Sequence, residues 1–165
     1  MEQGGVMMRN NNWKKYAVFI LFTEAVGGIA GLITRKGTEI YNATVTKPAL
    51  SPPAVVFPIA WAILYALMGI GAARIAIYGE GIQRGKSLKL YLLQLGFNFL
   101  WSILFFSFQA YGFAFLWLVA LWGLIVWMTL SFSEIDGTAA WLQVPYLLWV
   151  LFAGYLNLGV WLLNR

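Results

Sequence analysis

The sequence predicts an all-α integral membrane protein built as a five-transmembrane-helix bundle. Two observations carry this. Of 165 residues, 61% are hydrophobic and only 10% are charged, where a soluble domain carries roughly 25% charged residues. The outside of the molecule must therefore be apolar as well as its core. The uncharged stretches are also of membrane length. Residues 90–133 hold no charge over 44 positions. As one helix they would measure about 66 Å, over twice the ~30 Å of hydrocarbon, so they must form two spans.

The elements follow in order within a single domain, 1–165. Residues 1–13 are polar and rich in Asn and Gly, as expected of a short mobile tail. The first span, residues 16–34, holds Glu24 near its middle and then Gly27, Gly28 and Gly31. Gly27 and Gly31 form a GxxxG pair, which admits another helix at close range. Residues 35–51 are expected to form a polar loop, long enough to be functional. Four of the five prolines lie between Lys47 and Trp61. Pro52 and Pro53 suit a helix start, because a first turn leaves its N–H groups unpaired. This stretch is either a plain helix entry or a stiff lid at the membrane surface. The second span, 52–78, has no charge before Arg74, and Pro58 in its first turns is a candidate kink. A basic turn (Arg84, Lys86, Lys89) leads into the third span, 88–108. The expected break at residues 109–112 starts the fourth span, 111–133. The turn Glu134-Ile135-Asp136-Gly137 precedes the fifth, 139–163, which carries Pro145 in its first third.

The net charge of +5 does not indicate nucleic acid, because the eleven Lys and Arg sit at the ends of apolar runs, where lipid headgroups lie. Arg9, Lys14, Lys15, Arg84, Lys86 and Lys89 fall on one side, with Arg74 near it, and Arg35, Lys36, Lys47 and Arg165 on the other. The positive-inside rule then predicts a cytoplasmic N-terminus. No cleavable signal is expected, since the first apolar run is too long for a signal core. There is no Cys and no His. With no acid pair and no phosphate-binding Gly loop, neither a metal site nor a required cofactor is expected.

Polar residues inside a membrane need partners, so their placement marks inward faces. Gln94, Asn98 and Ser102 are spaced by four, flanked by Trp101 and Phe105. Trp61, Tyr65 and Gly69 make a second such row, and Trp149, Ala153 and Asn157 a third, with Tyr146 one turn earlier. Three faces mixing amides, hydroxyls and aromatics suit a pocket for a large flat apolar ligand. They equally suit amides joining helices while aromatics fill the core. Trp117, Trp122 and Trp127, five apart, cannot share a face and read as lipid-facing or interfacial. Glu24, the one carboxylate well inside a span, suggests proton coupling or else a protonated carboxyl bonded to a neighbouring helix.

Lys47-Pro48, Pro52-Pro53, Trp61 and Tyr65 resemble the first-loop and second-helix signature of the TspO/translocator protein family, the tryptophan-rich sensory proteins or peripheral-type benzodiazepine receptors. Gln94-Leu95-Gly96-Phe97-Asn98-Phe99-Leu100-Trp101 with Phe105-Phe106 resembles its third helix, and Val144-Pro145-Tyr146-Leu147-Leu148-Trp149 with Ala153 and Asn157 its fifth. The resemblance covers nearly the whole chain. It implies a pocket under the first loop that binds porphyrins (protoporphyrin or haem) and benzodiazepine-type ligands, in a protein that is often a homodimer. Carried over by position, the ligand-binding residues are Tyr41, Pro48, Trp61, Tyr65, Gln94, Asn98, Trp101, Phe105, Trp149 and Ala153. Gln94 and Asn98 are expected to offer amide contacts, and Arg35, Lys36 or Lys47 to meet propionates. Ile40 and Leu50 stand where aromatics are common, which thins the lid. The sterol pattern of animal members fails, as Tyr155 lies ten residues from Arg165, and this counts against sterol.

Three functions follow. The first is a receptor or translocator for tetrapyrroles with a regulatory or transport role. The second is light- and oxygen-dependent protoporphyrin breakdown, for which the resemblance implies Trp61 and Trp149 as the catalytic pair. The third is a proton-coupled transporter using Glu24.

Overall fold

A computed structural model describes residues 3–165, with side chains from Asn12 onward. Helix α1 spans Gln3–Thr44, α2 Val56–Tyr78, α3 Gly81–Ser102, α4 Tyr111–Ser133, α5 Gly137–Trp141 and α6 Val144–Leu163. A π-helical turn, Ile103–Ser107, extends α3. Five stretches are long and apolar enough to cross a bilayer: Asn12–Thr44, Val56–Tyr78, Gly81–Ser107, Tyr111–Ser133 and Gly137–Leu163. The chain is thus a multi-pass five-helix membrane bundle. Of the tail expected at 1–13, Met1 and Glu2 lie outside the described residues, as does the side chain of Arg9; the described backbone belongs to α1.

α1 is longer than the sequence suggests. Residues 35–44 continue the helix, so the connection to α2 is residues 45–55 rather than 35–51. The segment is polar yet fit for a helix. Arg35 pairs with Glu39 one turn on at 3.2 Å, and Thr38 and Thr44 return their hydroxyls to the carbonyls of Thr34 and Ile40. No proline interrupts it before Pro48.

Pro52 and Pro53 lie in the turn ahead of α2, closed by Val56 N–H donating to the Pro53 carbonyl at 2.9 Å. Pro58 is the third residue of α2, where the missing N–H is one no intrahelical acceptor would take, so the expected kink is not required there. α3 begins at Gly81, earlier than 88, and reduces the basic turn to Gly79 and Glu80. The break after the third span falls at Gln109-Ala110, with Gln109 at φ +51°, and α4 has the expected bounds. The fifth span is divided. α5 stops at Trp141, four residues before Pro145, whose ring would clash with the Trp141 carbonyl and whose missing N–H would leave it unpaired.

α2 packs closely on α1 and on α5, and its small residues explain why. A Cβ on Gly69 would lie 2.7 Å from the Ile20 Cα, and one on Gly71 would lie 2.2 Å from the side-chain nitrogen of Gln143 and 3.3 Å from the Ala139 carbonyl oxygen of α5. α1 and α5 can therefore approach its backbone closely. Met68 and Ile75 belong to the same buried core as Leu121, Ile125, Met128 and Phe132, all six fully buried. At the other end of α2 the packing opens. α2 and α6 touch at few residues, and a cavity remains between them, α1 and the end of α3.

Candidate ligand pocket

The cavity has a volume of about 420 Å³ and lies beneath the α1–α2 connection. Trp61 and Tyr65 come from α2, Trp101 and Phe105 from the third span, Trp149 and Ala153 from α6, and Tyr41 from the helical extension of α1; all seven line it. The three rows read from the sequence meet there only in part: Ser102 of the first with its flanking Trp101 and Phe105, Trp61 and Tyr65 of the second, and Trp149, Ala153 and Asn157 of the third. The extra turns of α1 supply a fourth wall.

The aromatic side chains form one connected surface. Trp61 stacks on Tyr65 with ring centres 5.4 Å apart. It tilts against Trp101 at 6.4 Å and meets Tyr146 edge-on at 6.2 Å. Phe105 continues the surface from Trp101 to Tyr41, each at 5.4 Å. On the α6 side Trp149 meets Phe57 edge-on at 6.0 Å.

Gln94 and Asn98 are not in the wall. Both are fully buried behind it. The Tyr65 hydroxyl donates to Asn98 Oδ1 at 2.9 Å, Asn98 Nδ2 donates to the Tyr146 hydroxyl at 2.9 Å, and that hydroxyl donates to Gln94 Oε1 at 2.8 Å. Gln94 Nε2 ends the chain on the Met68 sulfur. Engaged by the two tyrosines and Met68 and fully buried, these amides do not reach the cavity. They hold Tyr65 and Tyr146 in place beneath Trp61. Pro48 is likewise outside the wall, packed over Gly159, where an added Cβ would lie 2.6 Å away.

Ser102, Phe106, Phe57 and Asn157 also reach the cavity. Asn157 accepts from Trp101 Nε1 at 3.1 Å and donates to the Tyr111 carbonyl at 2.8 Å, which orients the Trp101 ring. Its spacing of four from Ala153 was the available signal. Phe57 and the α1 residues Thr34, Thr38 and Asn42 had none, because the helical extension of α1 that carries the last two reads as loop. Gly27 abuts the Tyr65 ring, whereas Gly31 borders the cavity. The GxxxG pair therefore serves packing and space within one chain.

The connection over the cavity is tied to α6. Asn164 accepts from the Thr46 N–H at 3.0 Å and donates to the Thr46 carbonyl at 2.9 Å. The Tyr155 hydroxyl donates to the Ala49 carbonyl at 2.8 Å. Lys47 sits 5.1 Å from the Tyr41 ring centre and donates to Asn42 Oδ1 at 3.0 Å. Ile40 and Leu50 point away, Leu50 being 81% exposed. Trp117 departs from the lipid-facing reading: it is half-buried, stacks on Phe97 at 4.4 Å and donates to the Phe97 carbonyl at 2.9 Å.

A family model described as the TspO/MBR family matches residues 19–162. The chain is 36% identical over 143 residues to a tryptophan-rich protein TspO of Chlorobaculum tepidum, covering 85% of this chain and 89% of that one. It is 34% identical over 155 residues to a tryptophan-rich sensory protein of Cereibacter sphaeroides, covering 94% of each. A translocator protein of Bos taurus is 31% identical over 152 residues, covering 90% of each.

Proposed function

The chain belongs to the TspO/MBR family, and from that premise we propose that it is a receptor or translocator-type membrane protein taking porphyrins and benzodiazepine-type ligands between its helices. One observation carries this reading: an apolar cavity walled by Trp61, Trp101, Phe105 and Trp149 and roofed by a tethered loop. Flat aromatic surfaces offer a tetrapyrrole large contact area at little entropic cost. In this reading Lys47 meets a propionate, which its position beside the lining residues Tyr41 and Asn42 supports. Arg35 is engaged by Glu39, so Lys47 is the better candidate of those two. The names of the relatives, sensory protein and translocator protein, fit a binding role. Protoporphyrin should quench the tryptophan fluorescence of the reconstituted protein, and Trp149→Phe should weaken binding several-fold. Unchanged affinity in that variant would reject the cavity as the site.

A second reading is favoured by Trp61 and Trp149 both reaching the same cavity. In it the protein breaks down bound protoporphyrin with light and dioxygen, dioxygen being the oxidant. Illuminated porphyrin should lose its Soret band with the wild type and keep it with a Trp61→Phe, Trp149→Phe double variant. Equal loss in both would leave only bleaching in solution.

The proposed orientation has the N-terminus in the cytoplasm and the roofing loop outside. The chain has no cysteine, so one introduced at the exposed Ala49 reports directly. An impermeant maleimide should label it on intact cells; labelling only after lysis would reverse the orientation.

A further inference from the structure

Among the described residues, Glu24 is the one charged side chain lining the cavity. It has no hydrogen-bond or ion-pair partner among the described residues. A carboxyl group at membrane depth with nothing to bond to is costly, so it calls for a partner that the protein itself does not supply. The surroundings leave room for one. Gly27, Gly28 and Gly31 follow Glu24 at i+3, i+4 and i+7, on the same face of α1. A Cβ on Gly28 or Gly31 would meet nothing within 4 Å. Gly27 is covered by the Tyr65 ring, but at Gly28 and Gly31 the α1 wall above the carboxyl is bare backbone, which leaves room for a flat ring to reach Glu24. Outside the lining at the other end, Lys47 stands over Tyr41 and bonds Asn42, both of which border the cavity. From Glu24 to Tyr41 the helix rises about 25 Å, so Glu24 lies at the end of the cavity far from the α1–α2 connection.

We infer that Glu24 forms a subsite for a cationic or N–H-donating nitrogen at the deep end of the cavity, making the protein selective for flat heterocycles that carry such a group. The inference rests on the cavity being the ligand site, as proposed above. A charge-assisted N–H···carboxylate bond in so apolar a place would be stronger than its counterpart in water.

The test uses two rings of one shape: 9-aminoacridine, a cation at neutral pH, and acridine, which is neutral. Each is titrated into protein in nanodiscs of zwitterionic lipid, with empty discs as the blank, and displacement of protoporphyrin is followed. The wild type should bind 9-aminoacridine at least about tenfold more tightly than acridine, both displacing protoporphyrin. Glu24→Gln keeps the shape and should reduce that ratio to near one, leaving acridine within twofold. A ratio unchanged by Glu24→Gln, or no preference in the wild type, overturns the subsite while leaving the porphyrin site standing. Acridines that fail to bind, or that bind without displacing protoporphyrin, also overturn it. Failure of protoporphyrin itself to bind would remove the underlying site reading.

Discussion

The Tyr65 hydroxyl donates to Asn98 Oδ1 at 2.9 Å, and through this bond an amide that never reaches the cavity decides where a cavity aromatic stands. Trp61 stacks on the Tyr65 ring, so the position of one controls the other. Asn98→Ala should therefore act first on stability. It strands the Tyr65 hydroxyl and removes a donor from Tyr146, at a cost of about 1–3 kcal/mol. Thermal loss of helicity in detergent reads this. Removing both partners, as in Tyr65→Phe with Asn98→Leu, should recover part of the loss, because no polar group is then left unpaired. If the double variant is less stable than Asn98→Ala, the bond does not carry the effect.

The roof should govern how fast ligand leaves. Asn164 binds both the N–H and the carbonyl of Thr46, and each bond is worth about 0.5–1.5 kcal/mol. Asn164→Ala should speed protoporphyrin release by roughly tenfold, the equivalent of ~1.4 kcal/mol. Tyr155→Phe, which loses the single bond to Ala49, should have a smaller effect. Stopped-flow fluorescence with excess competitor measures both. Equal release rates in all three proteins would mean that the loop opens for other reasons.

Much of the fold was legible because membrane spanning turns length and charge into strong constraints. The uncharged run of residues 90–133 had to break, and Gln109-Ala110 was the polar, turn-capable place to do it. What stayed hidden depends on depth and on context. The i, i+4 spacing places Gln94 and Asn98 on one face, but it cannot say whether Tyr65 and Tyr146 stand between that face and the cavity. Residues 35–44 read as loop through polarity, yet polar residues form a good helix once it leaves the hydrocarbon. Trp117 shows the converse: its Phe97 partner lies on another helix, beyond the reach of spacing within its own.

Close approach of backbones makes Gly37 irreplaceable in a way its sequence context does not reveal. A Cβ there would lie 2.1 Å from the Phe106 carbonyl oxygen, in the π-helical turn. Backbone cannot swing aside as a side chain can, so Gly37→Ala must push α1 from that turn. Tyr41, one turn further along, packs on Phe105 and Phe106. We expect a stability loss of about 1–3 kcal/mol together with weaker protoporphyrin quenching. Gly123→Ala, in α4 away from the cavity and with no atom near its Cβ, is the control, and an equal loss there would point to a general effect of glycine replacement.

At the far end of the bundle, Asp136 links helices through charge. It bonds Arg74 Nε at 2.5 Å and caps α5 by accepting from the Thr138 N–H at 2.9 Å. Burial tends to raise its pKa, but the Arg74 guanidinium and the N–H groups of Thr138 and Ala139 outweigh this and hold it below the ordinary carboxylate value. The sign follows from linkage. A carboxyl whose pKa is depressed on folding contributes stability above its unfolded value, near 3.9, and loses that contribution as pH falls through the folded one. The thermal midpoint should thus stay level from neutral pH down to about 4 in this respect, and then fall. Asp136→Asn removes the titrating group, so that variant should start lower at neutral pH and lose less below pH ~4. Wild type and variant falling in parallel over that window would show that other carboxylates control the acid response.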